Sequence, residues 1–353
     1  MGPCSGSPEA RFSAADSRTD SARMPFPGLP RALRVFAAVA ASLALALAPL
    51  FGAGCGAEAS PIRIGINPWP AWEFFYLAEV RGHYRDCGVE VEIVEFSSLG
   101  DAKRAYERGQ VDAYLGTLVE VATTHASDGR APVVALVTDY SNGADQVIAR
   151  APLATPRDLV RRRVAVEKGS LNVFVLARAL DACGASLAEV ELVDLDQLGM
   201  LEAFRQGTVD AIVAYPPVSL DALKLPGSAS VFTSASIPGE IVDVLAVDGA
   251  LVRDRADDVE AIRRAYARAV ADYEREPASA LTVMAKREGL APAEFEAALR
   301  DGVRLVGADE QAEYLRADGK LAANYAAVVD VLRRTGQLDV CAEAAFAAPE
   351  DGP

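Results

Sequence analysis

The chain has 353 residues, with 50 acidic against 35 basic side chains and a net charge of −15 at pH 7. That balance excludes a nucleic-acid backbone as partner, because counterion release needs clustered Lys and Arg. The composition is that of a folded protein and predicts one large domain or two medium ones.

The first stretch is set apart from the rest. Arg11, Arg18, Arg23, Arg31 and Arg34 precede Val35–Phe51, seventeen residues without charge. That is marginal for a membrane span but suits a signal-peptide core. The tract ends in "APLFGAGC" and is followed by the small, mostly polar "GAEAS". This arrangement resembles a bacterial lipoprotein signal, which implies removal of residues 1–54, lipidation of Cys55 and a tether at 55–61. Gly52 stands where such signals usually carry Leu, with Leu50 two places further out. A secretory peptide cut near Ala57 and an uncleaved anchor are the alternatives. Beyond Cys55, Cys87, Cys183 and Cys341 are odd in number and lack a CxxC pair. Neither a zinc site nor a disulfide scaffold is indicated, and Cys87 and Cys183 read as buried thiols at helix ends.

From Ile62 the pattern alternates strand and helix. "IRIGI" at 62–66 predicts a strand, 72–85 a helix, "VEVEIVEF" at 89–96 a strand and 100–108 a helix. "VDAYLG" then predicts a strand, Thr117–Ala126 a helix and "APVVALVTDY" a strand. The same order restarts at 163 with "RVAVE", "SLNVFVLARALDACG", "VELVDL", "MLEAFRQG" and "VDAIVAY". The repeat is literal: "AYERGQVDAYLG" at 105–116 matches "AFRQGTVDAIVA" at 203–214. Gly109 and Gly207 are expected to end their helices left-handed, and Asp112 and Asp210 to fix the turns behind them. "SVFTSA" and "GEIVDVLAVDG" return the chain to the first unit. Helices then follow near 257–276, from Pro277, at 292–300 and at 324–335. The expected organisation is lobe one at 62–150, lobe two at 151–236, a return with C-terminal helices at 237–345 and a tail at 346–353.

Ligands of open parallel sheets lie beyond the carboxyl ends of the strands. In lobe one those ends carry Asn67, Trp69, Trp72 and Glu73, then Ser97 and Ser98, then Thr117, then Asp139 and Tyr140. In lobe two they carry Ser170, Asn172 and Tyr215, and Glu240 lies where a strand recrosses. Trp72 could equally pack against the helical layer, and Ser97 and Ser170 could be plain helix caps. Catalysis is the poorer reading. His83 and His125 both fall at helix ends, no GxSxG, HExxH or Walker-type spacing occurs, and no cofactor or metal is indicated.

As an ensemble, "IRIGINPWPAWEFFYLAEVRGHYRDCGVEVEIVEF", "AYERGQVDAYLGT", "VVALVTDYSNGADQVIAR", "DLVRRRVAVEKGSLNVFVLARAL" and "AFRQGTVDAIVAYPP" resemble the solute-binding proteins of bacterial ABC importers for nitrate, sulfonates and taurine, including a pyrimidine-precursor group. The resemblance covers residues 62 to about 335. It implies a two-lobed α/β clamp of the type II periplasmic-binding-protein fold, each lobe a mixed, mostly parallel sheet flanked by helices, with crossover strands between. It further implies a monomer at the outer face of the membrane that passes a small organic solute to a permease and its ATPase. The cysteine-rich "CCCFC" stretch of a eukaryotic, pyrimidine-making branch is absent. Candidate cleft loops carry Glu73, Asp139 and Glu240 rather than arginine, which favours an amine or nitrogen heterocycle held by aromatic rings. A sulfonate, taurine or nitrate is the alternative solute, and a sensing module or pyrimidine-related enzyme the alternative role.

Overall fold

A computed structural model describes residues 60–124, 130–316, 318–338 and 345–346. The segment before Ser60, with Cys55, lies outside the described residues, as do His125 and Cys341. Everything described belongs to one compact unit, Ser60–Pro353.

The two repeated stretches form the same supersecondary unit. In the first, β1 (Ile62–Ile66), β2 (Val91–Glu95) and β3 (Ala113–Thr117) pair in parallel in the order β2-β1-β3. In the second, β6 (Arg163–Val166), β7 (Glu191–Asp194) and β8 (Ala211–Ala214) pair in the order β7-β6-β8. Helices Glu73–Val80 and Leu99–Glu107 connect the first set, and helices Leu171–Asp181 and Gln197–Gln206 the second. A matching clamp closes each unit. Asp112 accepts from Arg63 N at 3.0 Å and Nη2 at 2.8 Å, while Arg63 Nη2 reaches Gly109 O at 3.3 Å. Asp210 accepts from Arg163 N at 2.9 Å and Nη2 at 3.1 Å, while Arg163 Nη2 reaches Gly207 O at 3.3 Å. Both glycines are left-handed, φ 71° and 72°, where a Cβ would be strained.

Antiparallel strands complete each sheet. In lobe one, β10 (Val242–Asp248) inserts between β3 and β4 (Pro132–Ser141), and β11 (Val303–Leu305) flanks β4, giving the order β11-β4-β10-β3-β1-β2 with β12 (Ala345–Phe346) also beside β4. In lobe two, β5 (Gln146–Arg150) and β9 (Ser228–Thr233) give β7-β6-β8-β5-β9. β5 therefore pairs in the second sheet although it lies within the 62–150 span expected of lobe one. The chain changes sheets at 142–145 and returns at 234–241, and the two crossings are fastened together. Ser141 Oγ lies 2.7 Å from Ser234 Oγ, and Ser234 N–H donates to Asp145 O at 2.9 Å.

The helix expected over 72–85 is interrupted. It runs Glu73–Val80, breaks at left-handed Gly82 and resumes over His83–Asp86. Helices Ala256–Arg275, Pro277–Arg287, Pro292–Gly302 and Lys320–Arg334 follow the sheets. The first packs Tyr266 on Phe74 and Phe75, with ring centroids 6.1 and 4.8 Å apart. His83 Nε2 meets Asp272 Oδ2 of the same helix at 2.8 Å. Cys87 and Cys183 are free and half-buried.

Candidate functional site

Register builds the centre of the site. In the antiparallel pairings of β10, Asp243 stands opposite Thr117 on one side and Asp139 on the other. Opposed residues share a sheet face, so three polar side chains form a row across β3, β10 and β4, all buried. The turn after β1 adds Asn67, Trp69 and Trp72, and the crossover after β4 adds Asp145. Tyr215 enters from the end of β8. Trp69 Nε1 donates to Asp139 Oδ2 at 3.2 Å, and Thr138 Oγ1 donates to Asp139 Oδ1 at 2.8 Å. The Trp69 ring lies 6.1 Å from Trp72 and 6.1 Å, nearly edge-on, from Tyr215. Asn67, Trp72, Thr117, Asp145, Tyr215 and Asp243 are among the side chains around a small enclosed space of about 10 Å³, hardly room for one water with the lobes in this arrangement. Larger surface depressions exist, such as the one between helix Ala256–Arg275 and residues 306–311. That one lies away from the carboxyl ends of the parallel strands, whereas another, lined by Gly143, Ala144 and Pro216, adjoins the crossover after β4 and the end of β8.

The polar groups around this space are incompletely satisfied. Both carboxyl oxygens of Asp145, Oδ2 of Asp243, Oδ1 of Asn67 and Nε1 of Trp72 are buried without a partner. Unpartnered buried polar atoms are rare enough that each needs a reason. With the carboxyls ionised, four of the five are acceptors, and the space then calls for N–H donors and one acceptor. No arginine or lysine lines it. Burial pushes the Asp145 carboxyl up to about 7, opposed by the Ser141 hydroxyl and helped by Asp139 and Glu120. Burial also lifts Asp139 to about 7 against the donors Thr138 and Trp69. Asp243 is pushed up further by burial and by Asp139 and Asp145. Asp139 and Asp243 lie within hydrogen-bonding reach of each other, so a proton shared between them relieves the repulsion.

The two lobes meet around the space. Ser98 Oγ donates to Glu167 Oε1 at 2.7 Å, Lys103 Nζ to Gly169 O at 3.2 Å, and Leu171 N–H to Glu120 Oε1 at 2.7 Å. Asn67 Nδ2 donates to Tyr215 Oη at 3.3 Å. Burial holds the Glu167 carboxyl up at about 7, opposed by Ser98 and Arg104.

Of the residues expected in the cleft, the structure brings Asn67, Trp69, Trp72, Thr117, Asp139 and Tyr215 together. Ser98 lies on the seam between lobes. Ser170 and Asn172 stand behind the space: Ser170 caps helix Leu171–Asp181, and Asn172 Oδ1 accepts from Glu167 N at 3.2 Å and Gln197 Nε2 at 3.1 Å. Four expectations are corrected. Glu73 points into the helical layer, where Arg287 binds it, because the first turn of its helix faces helix Pro277–Arg287. Ser97 is exposed and bonds Asp101. Tyr140 alternates to the opposite face from Asp139 and lines a surface depression with Tyr314 and Lys320. Glu240 pairs with Arg178 at 2.6 Å on a partly exposed rim. Asp145, Asp243, Glu120 and Glu167 were not anticipated. The signal for Asp243 was present, as an acid inside the apolar run "IVDVLAV".

The sequence profile described as NMT1/THI5 like matches residues 69–280. The chain belongs to the NMT1/THI5-like family. Its resemblance to the nitrate, sulfonate and taurine group of binding proteins therefore holds at the level of the family. The taurine-binding periplasmic protein of Escherichia coli is 25% identical over 144 residues, 40% of this chain and 44% of that protein. Other curated relatives are matched over 58% of their length, so the chain spans about half the length of the curated relatives it matches. The alkanesulfonate-binding protein SsuA of Xanthomonas axonopodis pv. citri, solved with MOPS, superposes with a TM-score of 0.67 at 20% identity, over 81% of this chain and 96% of that one. The desulfurization enzyme DSZB superposes with a TM-score of 0.57 at 16% identity, over 80% and 94%. Likeness at this identity concerns the fold, which is the type II periplasmic-binding fold, and the fold accommodates both binding and catalysis. Among the described residues, no helix is long and apolar enough to cross a membrane and no cluster of His, Cys, Asp and Glu could hold a metal ion.

Proposed function

We propose that this chain is the solute-binding component of an ABC importer, taking a small solute with a cationic or amino nitrogen between its lobes and passing it to a permease driven by an ATPase. The observation that carries the solute class is Asp145, a buried carboxyl beside an aromatic-walled space whose lining holds no arginine or lysine to pair with it. A cationic N–H group would pair with Asp145 and Asp243 while its apolar part rests on Trp69 and Trp72. Trp72 Nε1 would donate to a ring nitrogen or hydroxyl on the same molecule. An oxyanion would meet carboxyl groups here and no cation, a costly arrangement in a dry site. The role is one of binding and release: the described lining holds no histidine and no cysteine, and its hydroxyl bonded to a carboxylate, Thr117 on Glu120, caps a helix. Lipidation at Cys55 would tether such a protein outside the membrane.

A sulfonate or taurine is the second reading, favoured by the binding partners in the names of the E. coli and Xanthomonas relatives. Taurine carries an ammonium as well as a sulfonate, so its amine end alone would suit Asp145. Native mass spectrometry of the purified protein, followed by release of the bound molecule, separates the two. A released amine or nitrogen heterocycle supports the first reading. A released sulfonate without an amino group overturns it and leaves the binding role in place.

A further inference from the structure

Helix Leu171–Asp181 opens lobe two and points its first N–H groups at the seam. A helix start of this length attracts an anion, yet its own first turn carries no acidic residue. The anion comes from the other lobe. Glu120, wholly buried on helix Leu118–Thr123, places Oε1 2.7 Å from Leu171 N. Its other oxygen accepts from Thr117 N at 3.0 Å and Thr117 Oγ1 at 2.6 Å, so the carboxylate is fixed from lobe one and used by lobe two. Thr117 and Leu171 both line the enclosed space, which puts Glu120 directly behind its wall. Two further groups favour negative charge there. The buried Lys103 ammonium, which bonds Thr123 and Gly169 and pairs with Glu107 at 3.9 Å, also attracts Glu120. In the first turn of the same helix, Asn172 Nδ2 is a buried donor without a partner.

We propose that Glu120 determines the specificity of the cleft by filling, with the chain's own carboxylate, the anion position at the start of helix Leu171–Asp181. An external sulfonate then finds that position taken, and the lobes close on an internal charge rather than on the solute's. This rests on reading the cleft as the solute site, but makes its own claim about where an anion is refused. A shorter side chain at 120 vacates the position and leaves Leu171 N–H and Asn172 Nδ2 without an acceptor, while Lys103, still paired with Glu107, keeps a positive charge nearby.

The test is calorimetric titration of the purified chain and its Glu120→Ala and Glu120→Gln variants with sodium methanesulfonate, using sodium chloride of equal ionic strength as control. Glu120→Ala is expected to bind methanesulfonate at least tenfold more tightly than the wild type, with Glu120→Gln, which keeps the position filled, gaining less. If Glu120→Ala melts too low for calorimetry, methanesulfonate should raise its melting temperature more than chloride does and more than it raises that of Glu120→Gln. No gain in Glu120→Ala by either measurement overturns the proposal, as does wild-type binding of methanesulfonate as tight as the variant's. A parallel titration of the wild type with methylguanidinium addresses the cationic reading separately. Failure there sinks that reading and leaves the Glu120 outcome untouched.

Discussion

Replacing Asp145 by Asn should remove a pH-dependent weakness of the empty protein. Folding lifts this carboxyl from 3.8 to about 7, so between those values the folded chain holds a proton that the unfolded chain has lost. Stability from this group is fully present below about pH 3.8 and is lost as the pH rises through about 7. At about 1.4 kcal/mol per pH unit over about three units, the loss is on the order of 4 kcal/mol, an upper bound because water entering the cleft would relieve it. Asn has nearly the shape of the protonated acid and does not ionise. Urea unfolding at pH 4.5, 6 and 8 should therefore find Asp145→Asn close to the wild type at the lowest pH and increasingly more stable above it. Its affinity for a cationic solute should fall in the same protein. Parallel stability profiles for the two proteins would refute the reasoning, because they would mean that the buried carboxyl ionises at no cost.

Gly100→Ala should hold the clamp open: a Cβ there would overlap the Glu167 carboxyl across the seam, while the helix itself gains about 1 kcal/mol from Ala. Small-angle scattering should show a wider solute-loaded particle and calorimetry at least a tenfold weaker solute; unchanged affinity would contradict the seam contact. Trp69→Phe keeps the ring but removes the donor to Asp139, so affinity should drop about tenfold and the pH at which it declines should rise. Competition against the solute released from the native protein would check it, and an unchanged pH profile would count against it. Glu73→Ala leaves buried Arg287 to the exposed Glu95 and the buried Glu288, and unfolding midpoints should report a loss of up to about 3 kcal/mol, reduced by the relief of Glu288. Affinity measured on the folded fraction should be unaffected, and its abolition would return Glu73 to the solute site.

The parallel half of each sheet was legible because it repeats itself. Two copies of helix, Gly, Val, Asp-Ala and strand imply a shared turn, and the Arg63–Asp112 and Arg163–Asp210 clamps show what the repeated Asp does. The antiparallel half was less legible. β5 is five residues between a turn and a loop, too short for periodicity to assign a sheet. At the site, residues at parallel strand ends could be named in advance because a general rule says where those ends point. Asp145 and Asp243 obey no such rule. One sits in a crossing between sheets, and the other becomes a cleft residue only through its register with Thr117 and Asp139. Glu73 misled for the opposite reason, since it stands at a strand end but begins a helix whose first turn is covered by Arg287.

The strand that carries Asp243 also dictates an order of assembly. Lobe two is one uninterrupted stretch, from β5 to β9, whereas the sheet of lobe one has a gap between β3 and β4 that only residues 242–248 fill. A chain emerging from its N-terminus can thus finish the second sheet while two edges of the first still await a partner more than a hundred residues downstream. Contacts that span such separations form late and slowly. The row of Thr117, Asp243 and Asp139 is therefore completed by one of the last strands to arrive, and a chain stopped before Val242 would keep a lobe but have no site.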